Sequence, residues 1–149
     1  MRKFCIYIIL YFIFSLQVTA QTFTSSNLPI CIITTDGGAS IPDEPGVLGN
    51  LKIIYRGPGR RNYVTDQTNT AYLNYDGRID IEKRGSSSQS SPKRNYGFTT
   101  LKTDNSTKNN VSLLGMPAEN DWILSGMVFD TALIRDHLCL NLSRKLGNY

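Results

Sequence analysis

The chain has 149 residues, 40% of them hydrophobic and 19% charged, and a formal net charge of +4. That length suits one small domain. Two of the positive charges, Arg2 and Lys3, belong to an N-terminal leader. What remains forms no basic stripe, which argues against a nucleic-acid partner.

The first twenty residues read as a cleavable secretory signal peptide. Arg2 and Lys3 form the positive n-region, Phe4 to Leu16 is almost wholly apolar, and Val18-Thr19-Ala20 sets up a cut before Gln21. The alternative is a retained membrane anchor, against which the apolar run falls short of the ~20 residues a span needs. Cys5 comes too early to follow a lipoprotein cleavage site, and no other run is long enough to cross a bilayer. The expected address is therefore secreted, periplasmic or cell-surface, with no stable membrane span after cleavage. Cleavage leaves Cys31 and Cys139 of the three cysteines. An oxidising compartment permits a disulfide between them. Both sit inside apolar runs, which favours two buried, unbonded side chains. With His137 the only histidine and no CxxC pair, a zinc site lacks ligands.

Residues 21–27 read as a polar, flexible leader. Leu28 to Thr35 is an apolar, β-branched strand closed by the Asp36-Gly37-Gly38 turn. Ile41 to Pro45 contains two prolines and is an extended loop. Leu51 to Tyr55 is a second strand, and Gly57-Pro58-Gly59 is a connection without the spacing of a phosphate-binding loop. A polar stretch runs on to Thr70. Arg78 to Arg84 alternates, with Ile79 and Ile81 on one face and Asp80 and Glu82 on the other, as in a half-buried strand. After a serine-rich turn, Arg94 to Phe98 alternates again, with Tyr96 and Phe98 on one face. Thr103 to Asn110 is a polar loop, Val111 to Met116 a short apolar segment and Trp122 to Leu124 a further strand.

Asp130 is a good N-cap, and Ile134, Leu138 and Leu142 follow at helical spacing. With Arg144 and Lys145 in the last turn and Gly147 beyond it, a helix over Thr131 to Leu146 is expected. The fold class is α+β: a mostly antiparallel sheet packed on a C-terminal helix.

No catalytic constellation stands out. Of the acidic pairs, Asp43-Glu44, Asp80 with Glu82, and Glu119 with Asp121, the second shares a strand face and could share a cation; more often such residues form the wet side of a sheet. The most suggestive segment is Arg84-Gly85-Ser86-Ser87-Ser88 followed by Pro92-Lys93-Arg94. A small-residue turn there would gather backbone N–H groups, hydroxyls and cations, a set that suits phosphate, although a solvated polar turn accounts for the same residues. Asn105, Asn110 and Asn141 each head an N-x-[ST] sequon.

Several words of this sequence resemble the CotH (spore-coat protein H) kinase family. They include Thr35-Asp36-Gly37-Gly38 with Ile41-Pro42-Asp43-Glu44-Pro45, Arg84-Gly85-Ser86-Ser87-Ser88-Gln89, Pro92-Lys93-Arg94-Asn95-Tyr96-Gly97-Phe98, Leu113-Leu114-Gly115-Met116-Pro117, Glu119-Asn120-Asp121-Trp122, and Asp130 with Arg135. Their order holds from about Leu28 to Gly147. The resemblance implies an atypical protein-kinase-like fold, of which residues 28–149 are an N-terminal part similar to an N-lobe. It implies ATP-dependent phosphorylation of secreted or surface proteins, with ATP and magnesium or manganese as cofactors. Arg84, Ser86, Ser87, Ser88, Lys93 and Arg94 would then face the nucleotide.

The chain departs from the family in two ways. Arg94 stands where the family usually has a second lysine, and a planar fork does not replace a point charge. Asp136 stands where an asparagine commonly follows the matching arginine. The family's metal-holding aspartates lie past the expected helix, so no catalytic residue is assigned. The resemblance thus implies a fragment inactive alone; a non-catalytic binding module presenting Tyr55, Tyr63, Tyr72, Tyr75 and Tyr96 is the alternative.

Overall fold

The computed structural model describes residues 22–127, 129, 130, 132 and 134–147; the expected signal peptide lies outside them. Among the described residues, seven strands and one α-helix follow in chain order. They are β1 (Ser25–Ser26), β2 (Ile30–Thr35), β3 (Val47–Ile54), β4 (Asn62–Tyr63), β5 (Leu73–Arg84), β6 (Asn95–Leu101), β7 (Asp121–Leu124) and α1 (Arg135–Lys145). Five strands form one antiparallel sheet in the order β2-β3-β5-β6-β7, and β1 pairs with β4. The architecture is the expected one, a mostly antiparallel sheet with a C-terminal helix. The leader expected to be flexible contributes β1, and Arg61 ties it down by donating to Ser25 Oγ (2.8 Å) and Asn27 Oδ1 (3.0 Å).

The register explains why the alternation in the sequence matters. Ile33 lies opposite Leu51, Val47 opposite Ile81, Ile81 opposite Phe98, and Phe98 opposite Trp122. Directly opposed residues share a sheet face. One face therefore collects Leu51, Ile53, Ile79, Ile81 and Phe98, all buried, and Leu113 from the loop after β6 closes over them. Tyr75 folds across Gly77, where a Cβ would lie 2.5 Å from its hydroxyl oxygen, and donates to the Arg78 carbonyl (3.2 Å). The opposite face carries Lys52, Asp76, Arg78, Asp80 and Glu82 at alternate positions.

The helix corrects the expectation in extent and in packing. It spans Arg135–Lys145 rather than Thr131 to Leu146. The cause is Asp130: its carboxylate accepts from the amides of Ala132 (3.1 Å), Ile134 (2.8 Å) and Arg135 (2.7 Å). Those bonds hold a turn ahead of the helix and satisfy donors that an earlier start would have placed inside it. The apolar stripe is not packed: Ile134, Leu138 and Leu142 are 54%, 53% and 50% exposed, and no residue of α1 is buried. The sheet's apolar face is covered by the 111–116 loop and Ile41 instead. The C-terminal end follows expectation, with Gly147 at φ 76° donating to the Arg144 carbonyl (3.1 Å). The cysteines are corrected too. Cys31 and Cys139 are both free and exposed rather than buried, one on the edge strand and one on the undocked helix. Among the described residues, no helix is long and apolar enough to cross a membrane.

Candidate functional site

The β5–β6 hairpin holds all six residues singled out from the sequence. β5 ends at Arg84, which pairs with Asn95 at the start of β6. Gly85 turns the chain at φ 94°, a left-handed conformation that favours glycine. A Cβ there would lie 2.3 Å from Ser88 Oγ, so the site is closed sterically as well. A short 3-10 turn, Ser87–Ser90, follows.

Within this turn the side chains divide. Arg84, Ser86, Ser87, Lys93 and Arg94 are exposed at one end of the sheet, while Ser88 is buried and its Oγ accepts from Asn95 Nδ2 (3.5 Å). The Ser88 hydroxyl thus serves the turn. Arg94 precedes the strand, and its Nε donates to the Gln89 carbonyl (2.9 Å), leaving the rest of the guanidinium outward. Lys93 donates its backbone amide to Ser91 Oγ (3.3 Å).

Two further residues hold the hairpin, and neither stood out in the sequence. Gly126 lies so close that a Cβ would come within 2.7 Å of the Lys93 carbonyl oxygen and 2.9 Å of that of Arg94, and its amide donates to Asn95 Oδ1 (2.6 Å). Gln89 donates through Nε2 to Asp43 Oδ1 and to the Gly85 carbonyl. Gln89 therefore ties the Asp43 carboxylate of the 41–45 loop to the hairpin turn. The 41–45 loop is pinned there by the Lys83 amide, which donates to the Pro42 carbonyl (2.7 Å).

From Arg84 an open cavity of about 320 Å³ runs down the polar sheet face, past Glu82, Gly97 and Asp80 to Thr99 and Asp121. The Asp121 carboxylate accepts from Thr99 Oγ1 (2.8 Å) and from Lys108 Nζ (3.0 Å); those bonds, the threonine's foremost, hold its pKa below the ordinary 3.8. Asp80 Oδ1 is buried without a hydrogen-bond partner among the described residues, pressed against Gly46. Among the described residues, no three His, Cys, Asp or Glu side chains converge to hold a metal ion. Asp80 and Glu82 share a face as the alternation required, yet the residues present do not fit magnesium or manganese.

A second polar cluster lies at the other end of β3. Asp66, 6% exposed, receives Arg56 through Nε (2.7 Å) and Nη2 (2.8 Å), and the Tyr63 amide (3.2 Å). The Arg56 guanidinium stacks over Tyr72 at 4.1 Å and Tyr63 at 5.1 Å. Fully buried Asn62 accepts from the Arg56 amide and donates to the Leu28 carbonyl. Every member is satisfied from within, so the cluster is a structural knot. Tyr63 and Tyr72 are engaged there, and Tyr75 and Tyr96 pack against the core.

The site is thus a cationic serine-rich hairpin at one end of an antiparallel α+β sheet. Residues 81–149 match the family model CotH, described as CotH kinase protein. The match begins within β5 and takes in the hairpin, β6, β7 and α1, so over this segment the chain is similar to the CotH family. No curated protein and no solved structure matches the chain.

Proposed function

We propose that the chain is the nucleotide-facing part of a secreted CotH-type atypical protein kinase, which in its whole form phosphorylates secreted or surface proteins with ATP. The observation that carries this reading is that Arg84, Lys93 and Arg94 are all exposed on one hairpin within the family-matched segment. Three cations and the hydroxyls of Ser86 and Ser87 can neutralise and hydrogen-bond phosphate oxygens. In the whole form, a divalent ion bound with ATP would supply charge neutralisation at the phosphates. Phosphoryl transfer also needs carboxylates that hold that ion and orient the acceptor hydroxyl. The described residues offer no such set. On this reading the chain alone binds nucleotide weakly and transfers no phosphate.

Incubation with ATP, manganese and a generic protein acceptor tests the reading. No incorporation is expected, and a fluorescent ATP analogue should bind with an affinity that the Lys93→Ala/Arg94→Ala variant loses. Phosphate incorporation that disappears in the double variant would overturn the inactivity; analogue binding unchanged in it would overturn the hairpin assignment. The alternative of a tyrosine-bearing binding surface keeps Tyr63, which is 41% exposed, and half-buried Tyr55, while Tyr75 and Tyr96 pack against the core.

A further inference from the structure

The five-stranded sheet has two edges, and they differ in kind. At one edge β7 is four residues long, begins with Asp121 and stands beside the Lys108–Asp121 ion pair (3.0 Å). A short, charged edge is how natural sheets avoid unwanted pairing. At the other edge β2 has six residues, Ile-Cys-Ile-Ile-Thr-Thr, with no charge, no proline and no irregularity in its register with β3. Among the described residues no strand pairs with its outer side. Five of its six residues are β-branched, the composition that fits a pleated ladder best.

We propose that β2 is the interface for a second copy of this chain, paired with its own counterpart as antiparallel strands about a two-fold axis near Ile32 or Ile33. An uncharged strand is complementary to itself: Ile and Thr side chains meet Ile and Thr across the axis, and no like charges are opposed. The axis stands perpendicular to the sheet, so each face continues into the same face of the partner. Cys31 and Ile33 lie opposite Ile53 and Leu51 on the apolar face. Pairing therefore runs that apolar surface across the joint. Because β7 is guarded, pairing through β2 uses up the unguarded edge of the five-stranded sheet and stops at two copies. A single six-residue ladder without helical cover makes a small interface, and a dissociation constant on the order of 10 μM is expected.

Sedimentation of the purified chain from ~1 to ~100 μM tests this. A concentration-dependent monomer–dimer equilibrium is expected. In a Cys139→Ser background a short bis-maleimide should join two chains through Cys31. Cys31→Lys/Thr34→Lys places charges at two exposed β2 positions and should return the chain to monomer, with a thermal transition showing that it still folds. Ile123→Lys on β7 should leave the dimer intact. Sedimentation as a monomer at the top of the range would overturn the proposal, as would growth beyond two copies, survival of the dimer in the β2 double variant, or its loss in the β7 variant. None of these outcomes depends on nucleotide, so the proposed kinase descent stands or falls separately.

Discussion

Arg56 and Asp66 meet face to face, the guanidinium Nε and Nη2 at 2.7 and 2.8 Å from the two carboxylate oxygens. The pair links the end of β3 to the turn after β4, and Tyr72 and Tyr63 cover the guanidinium. Removing one member leaves the other's donors or acceptors facing little water. Asp66→Ala should lower the melting temperature by several degrees and reduce the cooperativity of unfolding. Arg56→Lys should recover only part of the loss, because an ammonium cannot make the two-pronged contact. Differential scanning calorimetry of both variants checks this.

The same carboxylate helps to set the acid limit of the fold. The hydrogen bond from Arg56 holds the Asp66 pKa below the ordinary 3.8. The Arg78 hydrogen bonds do the same for Asp36, and the Arg135 amide, followed by those of Ala132 and Ile134, for Asp130. Asp104, held by the Thr107 hydroxyl and by the Ser106 and Thr107 amides, is lowered to about 2. A carboxylate whose pKa is depressed on folding contributes stability that is present in full above its unfolded value and is lost as pH falls through its folded value. Stability should therefore be insensitive to these groups above pH ~5 and fall from about pH 4 toward 2. A denaturant midpoint that stays constant from pH 5 to pH 2 would contradict this.

Gly126 offers a way to disturb the hairpin without touching its cations. An added Cβ would come within 2.7 and 2.9 Å of the Lys93 and Arg94 carbonyl oxygens, which are backbone and cannot swing away. Gly126→Ala should cost about 1–3 kcal/mol through overpacking and displace the two cations from Arg84. On the nucleotide-facing reading, binding of a fluorescent ATP analogue should weaken alongside the loss of stability. Gly97→Ala is the control: its Cβ would meet nothing nearer than 3.8 Å, so it should leave the hairpin in place.

What the sequence disclosed follows from the range of the interactions involved. The alternation of Ile79 and Ile81, and of Tyr96 and Phe98, is local, and it falls within β5 and β6, although β5 starts earlier, at Leu73, and β6 runs on to Leu101. The six candidate residues also come together, because a hairpin turn joins neighbours in sequence. The Asp66 knot could not be read, since an irregular turn and not a strand pairing brings Asp66 to Arg56, and Asn62 reaches back 34 residues to Leu28. Gly126 was silent for the same reason: its partner Asn95 lies 31 residues away. The helix was misplaced by a subtler competition. Asp130 is a good cap by composition, and it does bind the amide of the first helical residue, Arg135. It does so across a turn, which delays the helix beyond the position that local propensity suggests.

That helix and the core make opposite predictions for the same kind of substitution. Ile79 is fully buried among Leu51, Ile81 and Phe98. Ile79→Ala removes buried methyl and methylene groups and leaves a cavity, so it should cost about 2–5 kcal/mol. Leu138 is just as apolar and stands in the middle of the α1 stripe, but it is 53% exposed. Leu138→Ala gives up little packing and gains slightly in helix propensity, so its effect should stay within about 0.5 kcal/mol. The two substitutions look alike on a hydropathy plot, so the structure alone separates them. Urea denaturation of both variants decides the matter: a Leu138→Ala loss approaching that of Ile79→Ala would mean that the stripe is packed in solution.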